Sequence, residues 1–152
     1  MIINTNYLNH LRKKCVLVDG CFDPLHNGHI VYFKYAISFR FPVLCNLETD
    51  LYIRKVKRRP PFLPEIQRIQ LIDSIKYISY IYLQQTTTSD VLKKVQPVRY
   101  IKGYDWKKGG LPHDELEVCR KFGIEVTFME KNLESSTDLL NKYVQNLKLF
   151  SK

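Results

Sequence analysis

The sequence predicts an α/β fold: one Rossmann-like, doubly wound domain over residues 1–152, with a five-stranded parallel sheet and helices on both faces. Two observations carry this. Short apolar runs alternate with helical patterns along the whole chain, and no repeat, low-complexity tract or linker interrupts the alternation. A chain of 152 residues also fits one domain and can bury a core without staples.

Each element has its own signal. Cys15–Asp19 is a continuous apolar run ending in a carboxylate, the pattern of a buried strand. Gly28 to Phe39 places Ile30, Phe33, Ala36 and Ile37 on one helical face. Pro42 breaks that helix ahead of the strand Val43–Leu47. Pro64 to Tyr77 has a helix-starting proline and apolar positions at Ile66, Ile69, Leu71, Ile72 and Ile75. Tyr80–Leu83 is the third strand, and Ser89 is placed to cap a short helix through Val95. Val98–Lys102 is the fourth strand, ending at Gly103. Pro112–Phe122 is a helix that Gly123 stops. Ile124–Met129 is the fifth strand, and Ser135–Leu147 is a last helix opened by a Ser-Ser-Thr run.

Ligands of such sheets bind at the carboxyl ends of the strands, so chemistry is expected after Asp19, Leu47, Leu83, Lys102 and Met129. Composition narrows the ligand. Lys and Arg number 24 against 15 Asp and Glu, a formal charge of +9, which favours polyanionic partners: nucleotides, phosphorylated metabolites, nucleic acid or an acidic membrane. No run approaches the ~20 apolar residues of a membrane span, and the start lacks a signal-peptide pattern. The expected location is cytoplasmic, with no membrane partner. Cys15, Cys21, Cys45 and Cys119 form no C-x-x-C pair, which argues against a disulfide framework or a zinc ribbon.

The most informative segment is Gly20-Cys21-Phe22-Asp23-Pro24-Leu25-His26-Asn27-Gly28-His29. Two histidines flank a glycine at a helix start, where free N–H groups and the helix dipole attract anions. His26 and His29, three apart, can both donate to one phosphoryl group, and Gly28 lets it approach. That suits a reaction in which charge builds on an α-phosphate without a covalent enzyme intermediate. A zinc site would need two further ligands, of which Cys21 is the only near one. A helix start with incidental histidines leaves the surrounding Gly20, Phe22 and Asp23 unexplained.

This segment resembles the G-x-F-D-x-x-H-x-G-H signature of the nucleotidylyltransferase superfamily with the cytidylyltransferase-like fold. The resemblance implies that His26 and His29 stabilise the transition state as a nucleoside triphosphate loses pyrophosphate, with Gly20, Cys21, Phe22, Asp23 and Gly28 shaping the nucleotide site. It extends from about Cys15 to Val144. The basic run Arg54–Arg59 is a solvated loop by composition alone. In the family a mobile Lys-containing loop, a Pro-rich stretch and an arginine-bearing helix fall here, which implies catalytic roles for Lys57 and Arg68. Lys102-Gly103-Tyr104-Asp105-Trp106 resembles the V-K-G-x-D-[YW] motif, implying nucleotide contacts from Lys102, Gly103 and Asp105. Ser135, Ser136 and Thr137 resemble the S-T-T motif that holds triphosphate oxygens, and they also read as a simple helix cap. Leu133 and Glu134 depart from that motif, and a carboxylate there opposes a triphosphate, as does Asp138.

The implied activity is transfer of NMP from an NTP, ATP slightly ahead of CTP, to a sugar or polyol phosphate, with Mg²⁺ and no assigned metal ligands. Heptose 1-phosphate adenylyltransferases and glycerol-3-phosphate cytidylyltransferases are the branches most similar. Alternatives are a pantetheine-phosphate, NMN or FMN type of adenylyltransferase, a basic nucleic-acid-binding module, or a non-catalytic relative. The expected partners are the NTP and a phosphorylated small-molecule acceptor, not nucleic acid. A homodimer is implied by analogy with relatives.

Overall fold

The computed structural model describes residues 1–131 and 135–150. Among these, six strands form one wholly parallel sheet: β1 (Ile2–Ile3), β2 (Val16–Gly20), β3 (Val43–Leu47), β4 (Tyr80–Leu83), β5 (Arg99–Lys102) and β6 (Glu125–Phe128). Their order is β1-β4-β3-β2-β5-β6. The sequence pattern predicts five strands; the sixth is β1, whose residues pair with Ile81 and Tyr82 at one edge. Two residues are too few for any periodicity to show.

Strand alternation sorts the core onto two faces. Val16, Val18, Cys45 and Ile101 pack with Phe33 and Ala36 of α1 (Asn27–Ile37) and with Ile69 and Ile72 of α3 (Glu65–Asp73). Leu17, Leu44 and Tyr100 face Val91, Leu92 and Val95 of α4 (Thr88–Val95) and Val118 and Cys119 of α6 (His113–Phe122). Between β3 and α3 lie a short helix α2 (Asp50–Tyr52) and a π-helical turn, Ile53–Lys57, so the expected basic loop is partly helical. A five-residue helix α5 (Asp105–Gly109) follows β5, and α7 (Ser136–Phe150) follows β6.

Boundaries shift where local bonding outweighs periodicity. α3 ends at Asp73, not Tyr77, because Ile75 N–H turns back to the Ile72 carbonyl at 3.0 Å. On that helix Ile66 and Leu71 face solvent while Ile69 and Ile72 are buried. The cap of α4 is Thr87, whose hydroxyl accepts from Asp90 N–H, and Ser89 is buried in the first turn.

β2 is the pivot. From it the chain lays β3 and β4 to one side, then returns to place β5 and β6 on the other. The carboxyl ends of β2 and β5 therefore flank the topological switch point, where a doubly wound sheet opens a crevice.

Gly123 ends α6 in a left-handed conformation, φ 64° and ψ 34°. Ala there has room for its methyl but not the conformation. Gly123→Ala should cost about 1 kcal/mol and lower Tm by about 2–4 °C, read by thermal denaturation.

Candidate active site

A cleft of about 500 Å³ opens at that switch point. Its wall includes His26, His29, Lys57, Gly20, Cys21, Phe22, Asp23, Gly28, Lys102, Gly103, Asp105, Ser135, Ser136 and Thr137, so the structure gathers most of the expected site. Leu133 and Glu134 lie outside the described residues.

His26 is the N-cap of α1, in extended conformation. Its Nδ1 accepts from Gly28 N–H at 3.0 Å, and His29 Nδ1 accepts from His26 N–H at 3.4 Å. The two rings lie 3.8 Å apart, centroid to centroid. A neutral imidazole that accepts at Nδ1 carries its proton at Nε2. Burial, reinforced by the neighbouring His26, pushes the His29 pKa down to about 3. Phe22 holds the His29 ring edge-on at 4.9 Å. His29 is thus a neutral N–H donor at a helix N-terminus, the arrangement for an anionic oxygen, and His26 packs against it.

Arg68 is the expected catalytic residue that the structure does not bring to the cleft. Its side chain is fully buried. Nε donates to the Leu63 carbonyl at 3.1 Å, Nη1 to the carbonyls of Cys21 and Glu48 at 2.7 and 2.8 Å, and Nη2 to the Asp50 carboxylate at 2.7 Å. Direct grip on a substrate phosphate is thereby corrected to a brace. Arg68 saturates carbonyls left unpaired where β2 and β3 end, and it ties α3 to them.

Asp23 reaches the cleft wall, but its carboxylate is spent on the protein. It accepts from Arg59 Nη1 at 2.7 Å and from the N–H groups of Phe62 and Leu63 at 2.8 Å each. It anchors the basic segment beside the cleft, leaving Lys57 exposed at its lip. Gly103 lets the Asp105 carboxylate fold close over the backbone: a Cβ there would lie 2.5 Å from Asp105 Oδ1 and would turn that exposed side chain aside.

Ser135 and Asp138 form a reciprocal cap, with Asp138 N–H donating to Ser135 Oγ at 3.1 Å and Ser135 Oγ donating to the Asp138 carboxylate at 2.7 Å. Ser136 Oγ donates to the Pro24 carbonyl at 2.9 Å, tying α7 to the histidine loop. The capping reading is therefore satisfied, and these residues still line the cleft.

The sequence reading missed Asp19, Tyr32, Arg59, Tyr104, Trp106 and Met129 as cleft residues. Asp19 and Met129 were legible only as strand ends. Nothing distinguished Arg59 from the other cations of its run. Among the described residues no group of three or more His, Cys, Asp or Glu side chains gathers into a metal cage. Asp105 is the exposed carboxylate after β5, a donor set that fits a magnesium ion arriving on a triphosphate, since such ions take one or two carboxylates plus phosphate oxygens.

Beneath the cleft, Glu48 is buried beside Asp19, and desolvation raises its pKa to about 7. Gln84 Nε2 donates to it at 3.1 Å. A raised native pKa gives stability that is complete below the unfolded value near 4.5 and lost as pH rises through 7. Glu48→Gln should therefore melt above the wild type at pH 8, by about 1–3 kcal/mol, and the gap should close at pH 5. Equal pH profiles for the two proteins would refute a buried, titrating Glu48.

The sequence model of the cytidylyltransferase-like family matches residues 17–139. The bifunctional protein HldE of Geobacter metallireducens is 26% identical over 136 residues, 88% of this chain and 27% of that protein. HldE of Aliarcobacter butzleri is 29% identical over 102 residues, 66% of this chain and 21% of that protein. The chain thus spans about a quarter of the length of these curated relatives. Among solved structures, the lipopolysaccharide core biosynthesis protein of Thermoplasma volcanium superposes with a TM-score of 0.64 at 24% identity, covering 78% of this chain and 97% of that one. Pantothenate synthetase of Thermus thermophilus does so at 0.57 and 14%, covering 84% and 60%. At these identities the structural likeness speaks for the fold.

Proposed function

The chain belongs to the cytidylyltransferase-like family, and from that premise we propose that it is a nucleotidyltransferase that transfers NMP from an NTP to a sugar or polyol phosphate. The observation that carries this reading is the closely packed His26–His29 pair at the start of α1, both rings oriented through Nδ1 by backbone N–H groups and both lining the cleft. An acceptor phosphate oxygen attacks the α-phosphorus in line. The bond from that phosphorus to the bridging oxygen breaks, and pyrophosphate leaves with the electron pair. No proton is needed on the leaving group, so neutral hydrogen-bond donors suffice, as the low pKa of His29 requires. Lys57 at the cleft lip meets the phosphate oxygens of the triphosphate or the acceptor. Magnesium comes in as part of the nucleotide substrate and neutralises its charge.

ATP ahead of CTP, and a sugar phosphate as acceptor, rest on likeness to heptose 1-phosphate adenylyltransferases. HldE proteins match over most of this chain while extending well beyond it. The test is a matrix of four NTPs against a panel of sugar and polyol phosphates, read by pyrophosphate release. Release with ATP and one hexose or heptose phosphate is expected. Salt-dependent retention of DNA or RNA with no release from any pair would overturn the reading.

His29→Ala should lower turnover by ~10²–10³ with the KM values little changed, because the donor acts on charge that develops in the transition state. Near wild-type turnover, or a trapped nucleotidyl-histidine, would refute this role.

Lys57→Ala and Arg68→Met should part company. The first should cut turnover by ~10² without shifting Tm. The second should lose about 3–5 kcal/mol of stability, because it strands a half-buried carboxylate and three carbonyls. Paired melting curves and initial rates check both.

A further inference from the structure

We propose that Lys102 is a positioning residue, holding the Trp106 indole as a wall of the cleft, and does not ligate substrate phosphate. This deepens the reading above and rests on it for the kinetic part of the test only.

Lys102 closes β5 with its side chain 4% exposed. Its Nζ donates to Asp19 Oδ1 and Oδ2 at 3.0 Å each and to Tyr100 Oη at 2.9 Å. The two oxygens of the one Asp19 carboxylate share an N–H, Tyr100 Oη takes a second, and the Trp106 ring lies against the same ammonium, so three protein groups crowd around its donors. Tyr100 Oη lies in turn 2.8 Å from Asp19 Oδ2 and 3.0 Å from Glu115 Oε2, and Glu115 stands 4.0 Å from the ammonium. One positive charge is thus set among two carboxylates, and a triphosphate gains little from approaching it.

What the ammonium does touch is an aromatic face. It sits 4.2 Å over the Trp106 ring centroid, within cation–π range. Trp106 belongs to the five-residue α5, none of whose residues is buried, so core packing does not fix the indole. The Lys102 ammonium does, and Asp19, Tyr100 and Glu115 fix the ammonium. The indole in turn lines the cleft beside Asp105 and Gly103.

The protein has a single tryptophan, so fluorescence excited at the red edge, where its ten tyrosines do not absorb, reports Trp106 alone. Lys102→Met keeps the length of the side chain and removes the charge; Lys102→Arg keeps a cation that can stack on the ring. In Lys102→Met, acrylamide quenching of the tryptophan should rise about twofold and its anisotropy should fall, with Lys102→Arg restoring most of both. In the enzyme assay the KM of one substrate should rise about tenfold, more than kcat falls, while inhibition by inorganic pyrophosphate stays within about twofold of wild type. Unchanged quenching and anisotropy would overturn the proposal, as would pyrophosphate inhibition weakened about tenfold, the mark of a lost phosphate ligand. If Lys102→Met fails to fold, Asp19→Asn loosens the same ammonium without removing it, and the same two optical readings decide. Wild-type protein that releases no pyrophosphate with any substrate pair would sink the transferase reading, while the quenching data still settle the clamp.

Discussion

Two backbone N–H groups decide what this cleft can offer a substrate. Gly28 donates to His26 Nδ1 and His26 donates to His29 Nδ1, so each ring is turned by the start of α1 and left with its proton at Nε2. Burial then keeps His29 uncharged. The consequence is energetic as well as geometric. A pair of imidazolium ions would hold a triphosphate tightly before reaction and gain little as charge shifts. Neutral donors bind the ground state more weakly and strengthen as charge accumulates on the oxygen they face, and only that difference accelerates a reaction. The rest of the loop serves this constraint. Phe22 sets the His29 ring edge-on, and Ser136 holds the loop against the last helix through the Pro24 carbonyl.

The cations around the site divide by what they satisfy. Arg68 answers carbonyls at the ends of β2 and β3, Arg59 answers Asp23, and Lys102 answers Asp19. Lys57 and Lys131 remain exposed at the cleft. A formal charge of +9 therefore overstates what a polyanion meets in this cleft, because part of it compensates backbone and carboxylate groups that the fold itself leaves unpaired there. Sequence cannot make this division. Lys57 and Arg68 look alike as cations at expected spacings, and only the convergence of three carbonyls and Asp50 on one guanidinium shows that Arg68 belongs to the frame.

Much of the fold was legible because parallel strands buried on both faces leave near-continuous apolar runs, as Val16–Val18 and Val43–Leu47 do. The histidine loop was legible because its chemistry is local: both rings are fixed by backbone atoms within three residues. What escaped is non-local. β1 needs β4 to be a strand, and Asp19 acquires its role from Lys102, 83 residues away. Asp23, expected at the nucleotide, is claimed by donors from Arg59, Phe62 and Leu63, which nothing in its own segment announces. The basic segment read as a loop because its cations mask the helical register of Leu51, Ile53 and Val56, of which only Ile53 is buried.

Three carboxylates, Asp19, Glu48 and Glu115, crowd the sheet end of the cleft. Burial raises the proton affinity of Glu48 and Glu115, and neighbouring carboxylates add to it: Asp19 and Glu115 both act on Glu48, and Asp19 acts on Glu115. Lys102 works against this for Glu48 and Glu115, and Tyr100 bridges Asp19 to Glu115. The arrangement costs desolvation energy that an apolar filling would spare. It also gives the cleft polarity along its length. The sheet end becomes an electrically compensated, hydrogen-bonded surface carrying an aromatic wall, while the donors suited to an anion lie at the helix start and on the exposed lysines. A substrate with a phosphate at one end and a neutral ring or polyol at the other meets opposite requirements at the two ends of the cleft, and one orientation satisfies both.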